Sequence, residues 1–198
     1  MGRVGILGGT FNPPHIGHLE CARRAREQLD LDRIELVVAG RPPHKESIGD
    51  PGVGHRLAMC RLAAAGTDWL SVSELEADRS GPSYTIITLR EINAHEPGDE
   101  LTLIVGGDMA LTLPSWEEPE AILELARLAV AERSGLGRDA VLEQLRRLPG
   151  GADAVFLDMP HVDVSSSLVR DEARAGRPIH HLVPDQVADY IEQRRLYA

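Results

Sequence analysis

The sequence predicts an α/β fold, a single domain over residues 1–198 built on a doubly wound parallel sheet. Three observations predict it. Short apolar and β-branched runs alternate with longer helical segments along the chain, the pattern of strand–helix–strand units. Helix ends carry recognisable signals: Asp139 ahead of an apolar-periodic run, Gly176 directly after Ala175, and Pro184 opening the last helix. No repeat, low-complexity tract or shift in composition breaks the alternation, so nothing marks a linker.

In order, residues 3–7 are apolar after Arg3 and read as the first strand, and residues 18–29 follow as a helix. The β-branched run at 33–39 is the second strand, then a Gly/Pro-containing loop at 46–54 leads into a helix at 53–65. Strands at 69–73, 101–105, 128–132 and 154–158 alternate with helices at 83–94, 120–125 and 139–148, and helices at 166–175 and 184–195 close the chain. In such a sheet the ligand crevice lies beyond the carboxyl ends of the strands, where the winding direction switches. A site is therefore expected among the segments that follow strands: 8–17, 40–45, 106–116, 133–138 and 159–167.

The chain's 42% of hydrophobic residues suffice for one substantial core. A net charge of -10 argues against a nucleic-acid partner, which normally meets a basic face, but leaves room for a small anionic substrate where basic groups converge. No apolar stretch approaches a membrane span, and residues 1–7 lack the pattern of a secretory leader. Cys21 and Cys60 fall in helices without metal-type spacing and read as reduced thiols. Together these predict a cytoplasmic location and no membrane partner; oligomeric state stays open, a homodimer included. The basic residues are twenty arginines and one lysine, Lys45, placed within Arg41-Pro42-Pro43-His44-Lys45. An ammonium is a compact point charge that a planar guanidinium does not reproduce.

The strongest motif is Gly8-Gly9-Thr10-Phe11-Asn12-Pro13-Pro14-His15-Ile16-Gly17-His18-Leu19. Paired glycines admit a ligand close to the backbone, and the helix start offers amides at a positive dipole end. His15 and His18, three residues apart, project from one side if the first turn is formed. The combination suits a polyphosphate, although it is neither a P-loop nor a GxGxxG fingerprint. The alternative is a metal pair or a structural role for the histidines. Further along, Ser165, Ser166 and Ser167 open a helix with Arg170 one turn on, a phosphate cradle or, for one serine, a plain cap.

These residues resemble the bacterial nicotinate-nucleotide adenylyltransferases of the HIGH nucleotidyltransferase superfamily, whose fold is Rossmann-like. GGTFNPPHIGHL is similar to their N-terminal signature, Pro42 to Lys45 to a PPHK element, and Ser83-Tyr84-Thr85 with Thr88-Leu89 to SYTxDTL. Gly106-Gly107-Asp108 resembles a GxD element, and residues 164–170 resemble ISSTxIR. The resemblance covers the chain from Val4 to Tyr197.

It implies adenylyl transfer from ATP to nicotinate mononucleotide, with magnesium carried on the triphosphate and no metal site of the protein's own. His15, His18 and Lys45 are then the catalytic residues; Gly8, Gly9, Thr10, Phe11, Gly106, Asp108, Ser165, Ser166, Ser167 and Arg170 bind ATP, the helical part from about 165 to 198 completing that site. Asn12, His44, Ser83, Tyr84, Thr85, Trp116 and Arg133 bind nicotinate mononucleotide. Asp108 alone also reads as a helix cap, Trp116 as a residue buried under its loop, and Arg133 as half of a surface salt bridge. Ile87 stands where the family pattern has aspartate, which bears on the choice of acceptor, with nicotinamide mononucleotide or phosphopantetheine as the alternatives, and a non-catalytic nucleotide-binding domain as the alternative of another class.

Overall fold

The protein is described here from a computed structural model, which covers residues 1–41, 49–132 and 137–198. Strands β1 (Arg3–Gly9), β2 (Arg33–Val38), β3 (Leu70–Ser73), β4 (Glu100–Gly106), β5 (Ala126–Ala131) and β6 (Val155–Leu157) pair in parallel in the order β3-β2-β1-β4-β5-β6. The winding direction reverses between β1 and β4, whose register sets Leu7 opposite Ile104. That reversal opens the expected crevice beyond Gly9 and Gly106.

Side chains alternate across the pleat and build a core on each face. Val4, Ile6, Leu101, Leu103 and Leu128 face one way, against α3 (Thr85–His95), α5 (Pro119–Leu125) and α6 (Arg138–Leu145). Leu7, Ile34, Leu36, Ile104 and Ala129 face the other, against α1 (Ile16–Leu29) and α2 (Val53–Ala64). Gly5 is the crowded point of β1: a Cβ there would lie 2.9 Å from Leu31 and 3.0 Å from Ile34 and Ile104. A third cluster, including Met59, Ala63, Val169, Val187 and Ile191, fastens α7 (Ser166–Arg174) and α8 (Asp185–Arg194) to α2.

Most sequence-based boundaries shift by a few residues, and three differences stand out. β1 runs on to Gly9, so Gly8 and Gly9 are its last residues rather than a loop. The stretch after β4 contains a further helix, α4 (Gly107–Thr112), followed by a single 3-10 turn at Leu113–Ser115. Asp139 and Pro184 sit one step from their expected places: Gly137 is the cap of α6 with Asp139 in its first turn, and Pro184 precedes α8 as its cap. Among the described residues no helix is long and apolar enough to cross a membrane.

Candidate active site

The turn from β1 into α1 is tightly made. Phe11 holds φ of +50° with its side chain 2% exposed, and its ring lies over Gly9, where a Cβ would come within 3.1 Å. Gly9 is therefore required by its own neighbour. A Cβ on Gly8, by contrast, would meet nothing within 4 Å, so no neighbour in the fold requires glycine there. Thr10 presents its carbonyl inward, and the chain then passes through Asn12 and Pro13 to His15, the residue that caps α1.

The two histidines form one unit. Their rings stack at 3.7 Å between centroids and 26° between planes, and the Phe11 ring meets His18 edge-on at 5.0 Å. The His15 backbone N–H donates to His18 Nδ1 at 3.2 Å. With Nδ1 accepting, a neutral His18 carries its proton on Nε2 and offers that nitrogen as a donor. Gly17 makes the stack possible, because a Cβ there would fall 3.0 Å from Val164 and 3.1 Å from His15 Nδ1. One expectation is reduced: the first amide of α1, Ile16 N–H, donates to the Leu182 carbonyl at 3.0 Å.

The serine stretch joins this turn from the far end of the chain. Ser165 Oγ accepts from the Leu168 N–H and caps α7. Ser166 Oγ donates to the Pro13 carbonyl at 2.9 Å, Arg170 donates to the Asn12 carbonyl at 2.7 Å, and a second Arg170 nitrogen reaches Ser167 Oγ at 3.2 Å. Ser166 thus braces the β1–α1 turn directly and Ser167 through Arg170, a structural task beyond the cap that Ser165 supplies. Asp108 is exposed in the first turn of α4, whose cap is Gly106, and its carboxylate lies over Gly106, where a Cβ would sit 2.7 Å from Oδ1. It is not the helix cap.

Ser83, Tyr84 and Thr85 gather at the end of β2. Ser83 Oγ accepts from the Gly40 and Arg41 N–H groups at 3.1 and 3.2 Å, and Tyr84 caps α3, of which Thr85 is the first residue. Trp116 is half-buried, its indole N–H donating to Thr112 Oγ1 at 3.0 Å. Tyr84, Ile87 and Trp116 pack against the same core cluster. The candidates His44, Lys45 and Arg133 lie outside the described residues.

Two positioning residues escape a reading of motifs. Arg56 of α2 is 1% exposed and donates to the carbonyls of Thr10 at 2.9 Å and Ala39 at 2.7 Å, with a longer contact to Gly40 and an ion pair to Asp50. It ties the loop after β1 to the end of β2. Tyr197 donates to Asn12 Oδ1 at 2.7 Å. Arg56 is one of twenty arginines with no distinguishing spacing, so only its burial reveals it; Tyr197 lay in a stretch already matched by resemblance, without a role.

Against known proteins, the profile of the cytidylyltransferase-like family matches residues 6–172. A protein of Roseiflexus sp. (strain RS-1) named probable nicotinate-nucleotide adenylyltransferase is 43% identical, covering 98% of this chain and 97% of its own. One of the same name from Citrifermentans bemidjiense is 40% identical, covering 98% of both. The chain belongs to the nicotinate-nucleotide adenylyltransferase family. The fold agrees: the Plasmodium falciparum nicotinic acid mononucleotide adenylyltransferase complexed with NaAD superposes with a TM-score of 0.81, over 100% of this chain and 98% of that one, at 18% identity. Within this adenylyltransferase family the chain's own departure, Ile87, is half-buried on the first turn of α3 against apolar neighbours, a place where a carboxylate would need a partner.

Proposed function

We infer that the protein transfers the adenylyl group of ATP to nicotinate mononucleotide, giving nicotinate adenine dinucleotide and pyrophosphate. The observation that carries this reading is the stacked His15–His18 pair, fixed at the start of α1 on the winding-switch crevice. Full-length relatedness to proteins of that name supports it.

A phosphate oxygen of the acceptor attacks the α-phosphorus as the bond to the bridging oxygen of the leaving pyrophosphate breaks. No protein nucleophile is needed, so catalysis comes from positioning and from stabilising charge on the equatorial and leaving oxygens. His18 Nε2–H is a donor suited to that charge, with His15 holding the ring and Lys45, by family resemblance, adding a cation. Gly8, Gly9, Thr10 and Phe11, with Gly106 and Asp108, line the ATP side, and the part from about 165 to 198 completes it through Ser165, Ser166, Ser167 and Arg170. Asn12, Ser83, Tyr84, Thr85 and Trp116 serve the acceptor, together with His44 and Arg133. Among the described residues no set of three His, Cys, Asp or Glu side chains gathers to hold a metal; magnesium fits as the counterion of ATP itself, retaining most of its waters.

Ile87 favours asking whether nicotinamide mononucleotide is also accepted. The test is pyrophosphate release from ATP and magnesium with nicotinate mononucleotide, nicotinamide mononucleotide or phosphopantetheine, with the product identified by mass. A strong preference for nicotinate mononucleotide is expected. Preference for another acceptor moves the substrate assignment, and folded, ATP-binding protein that releases no pyrophosphate with any of them overturns the reading.

A further inference from the structure

Asn12 is 5% exposed and is held at two atoms by residues far along the chain. Its backbone carbonyl accepts from Arg170, and its side-chain Oδ1 accepts from the Tyr197 hydroxyl, both at 2.7 Å. A carboxamide is planar and has two faces of opposite character: an accepting oxygen and, across the carbon, a nitrogen bearing two donors. An unconstrained asparagine samples both orientations. Here the hydroxyl hydrogen has Oδ1 as its acceptor, so the oxygen turns toward Tyr197 and Nδ2 turns away from it. Tyr197 is itself well placed for the task, with φ of +70° on the segment after α8 and a hydroxyl that burial raises well above the ordinary tyrosine range. It stays protonated, and so stays a donor, through the whole range of a practical assay.

We propose that Tyr197 is a positioning residue for adenylyl transfer: by donating to Asn12 Oδ1 it sets the Asn12 amide nitrogen as a donor to the phosphate of the acceptor nucleotide. This rests on the assignment of Asn12 to the acceptor side in the function inferred above. The arrangement explains why a tyrosine one position from residue 198 reaches a loop that begins at residue 10. It also separates Tyr197 from Arg170 and Ser166, which hold backbone carbonyls and leave the amide's orientation alone.

The test is a double-mutant cycle on Tyr197→Phe and Asn12→Ala, with steady-state kinetics for ATP and for nicotinate mononucleotide and a melting curve for each variant. Tyr197→Phe keeps the ring and its packing, so it is expected to fold and to melt within a few degrees of the parent. Its kcat/KM for nicotinate mononucleotide is expected to fall on the order of tenfold, with the KM for ATP little changed. The double variant is expected to be no worse than Asn12→Ala alone, because the hydroxyl acts only through that amide. Unchanged kinetics in Tyr197→Phe, a loss of melting temperature without a kinetic change, or losses that simply add would each overturn the proposal. Absence of activity in the parent protein would instead overturn the function on which it rests, and the two failures are thus distinct.

Discussion

His18 concentrates several constraints in one ring. Its Nδ1 accepts from the His15 N–H, it stacks on the His15 ring, and it meets the Phe11 ring in a T-shaped contact. With Nδ1 accepting, the neutral ring carries its proton on Nε2, the donor tautomer. His18→Ala should therefore lower turnover by a hundredfold or more, about what loss of one donor to transition-state charge costs, while the melting temperature moves by only a few degrees. Single-turnover kinetics beside calorimetry check this, and a variant with near-parental turnover would remove His18 from the chemistry. The histidines were legible because their spacing and glycine-rich setting are local properties of sequence. The Asn12–Tyr197 bond was not, because 185 positions separate its partners. The cysteines, expected as reduced thiols, are both buried and outside any disulfide, and burial pushes Cys60 up to about 12.

At the scale of elements, α2 does more than cover the sheet. Its Arg56 satisfies carbonyls from two loops at once, and Gly40, next to one of them, is pressed so closely on the Glu76 carbonyl that a Cβ would lie 2.1 Å from it. Arg56→Met would leave the Thr10 and Ala39 carbonyls without their donor. Each buried orphan costs about 1–3 kcal/mol, so a loss of about 3 kcal/mol or more is expected in a urea titration, together with reduced turnover in the fraction that stays folded. A loss below about 1 kcal/mol would show that water replaces the guanidinium. The strands were readable from their apolar runs, and the long helices from periodicity and end signals. Helix α4 was missed because Gly107–Thr112 spans fewer than two turns and lacks a full apolar period. Its formation depends on packing Ala110 into the core that strands of both halves supply.

For the whole molecule, arginine sets the dependence of stability on acid. Glu20 is held down to about 2 by Arg23 and Arg24, Glu118 is lowered by Arg90 and Glu172 by Arg177, and Asp99 is lowered by the Gly2 N–H and Arg33. Carboxylates whose folded values lie below their unfolded ones stabilise above the unfolded value, and that contribution fades as pH falls through the folded value. Glu35, raised by burial, works in the opposite sense. With four groups against one, the melting temperature should hold from neutrality to about pH 5 and decline steadily as pH falls below about 4 toward 2. A melting series at constant ionic strength reads this directly, and a flat profile down to pH 2.5 would mean that these surface pairs contribute nothing net. Fold class was legible because alternation is a property of the whole sequence. The three-layer closure through α7 and α8 was not, because it depends on apolar faces meeting across the molecule.

The fastening of the β1–α1 turn by Ser166, Arg170 and Tyr197 has a consequence for biogenesis. In synthesis the His15–His18 pair precedes the residues that brace its turn, so a nascent chain that has reached β6 carries the pair with the brace still to come. The turn is therefore secured late, after the last strand of the sheet that supports it.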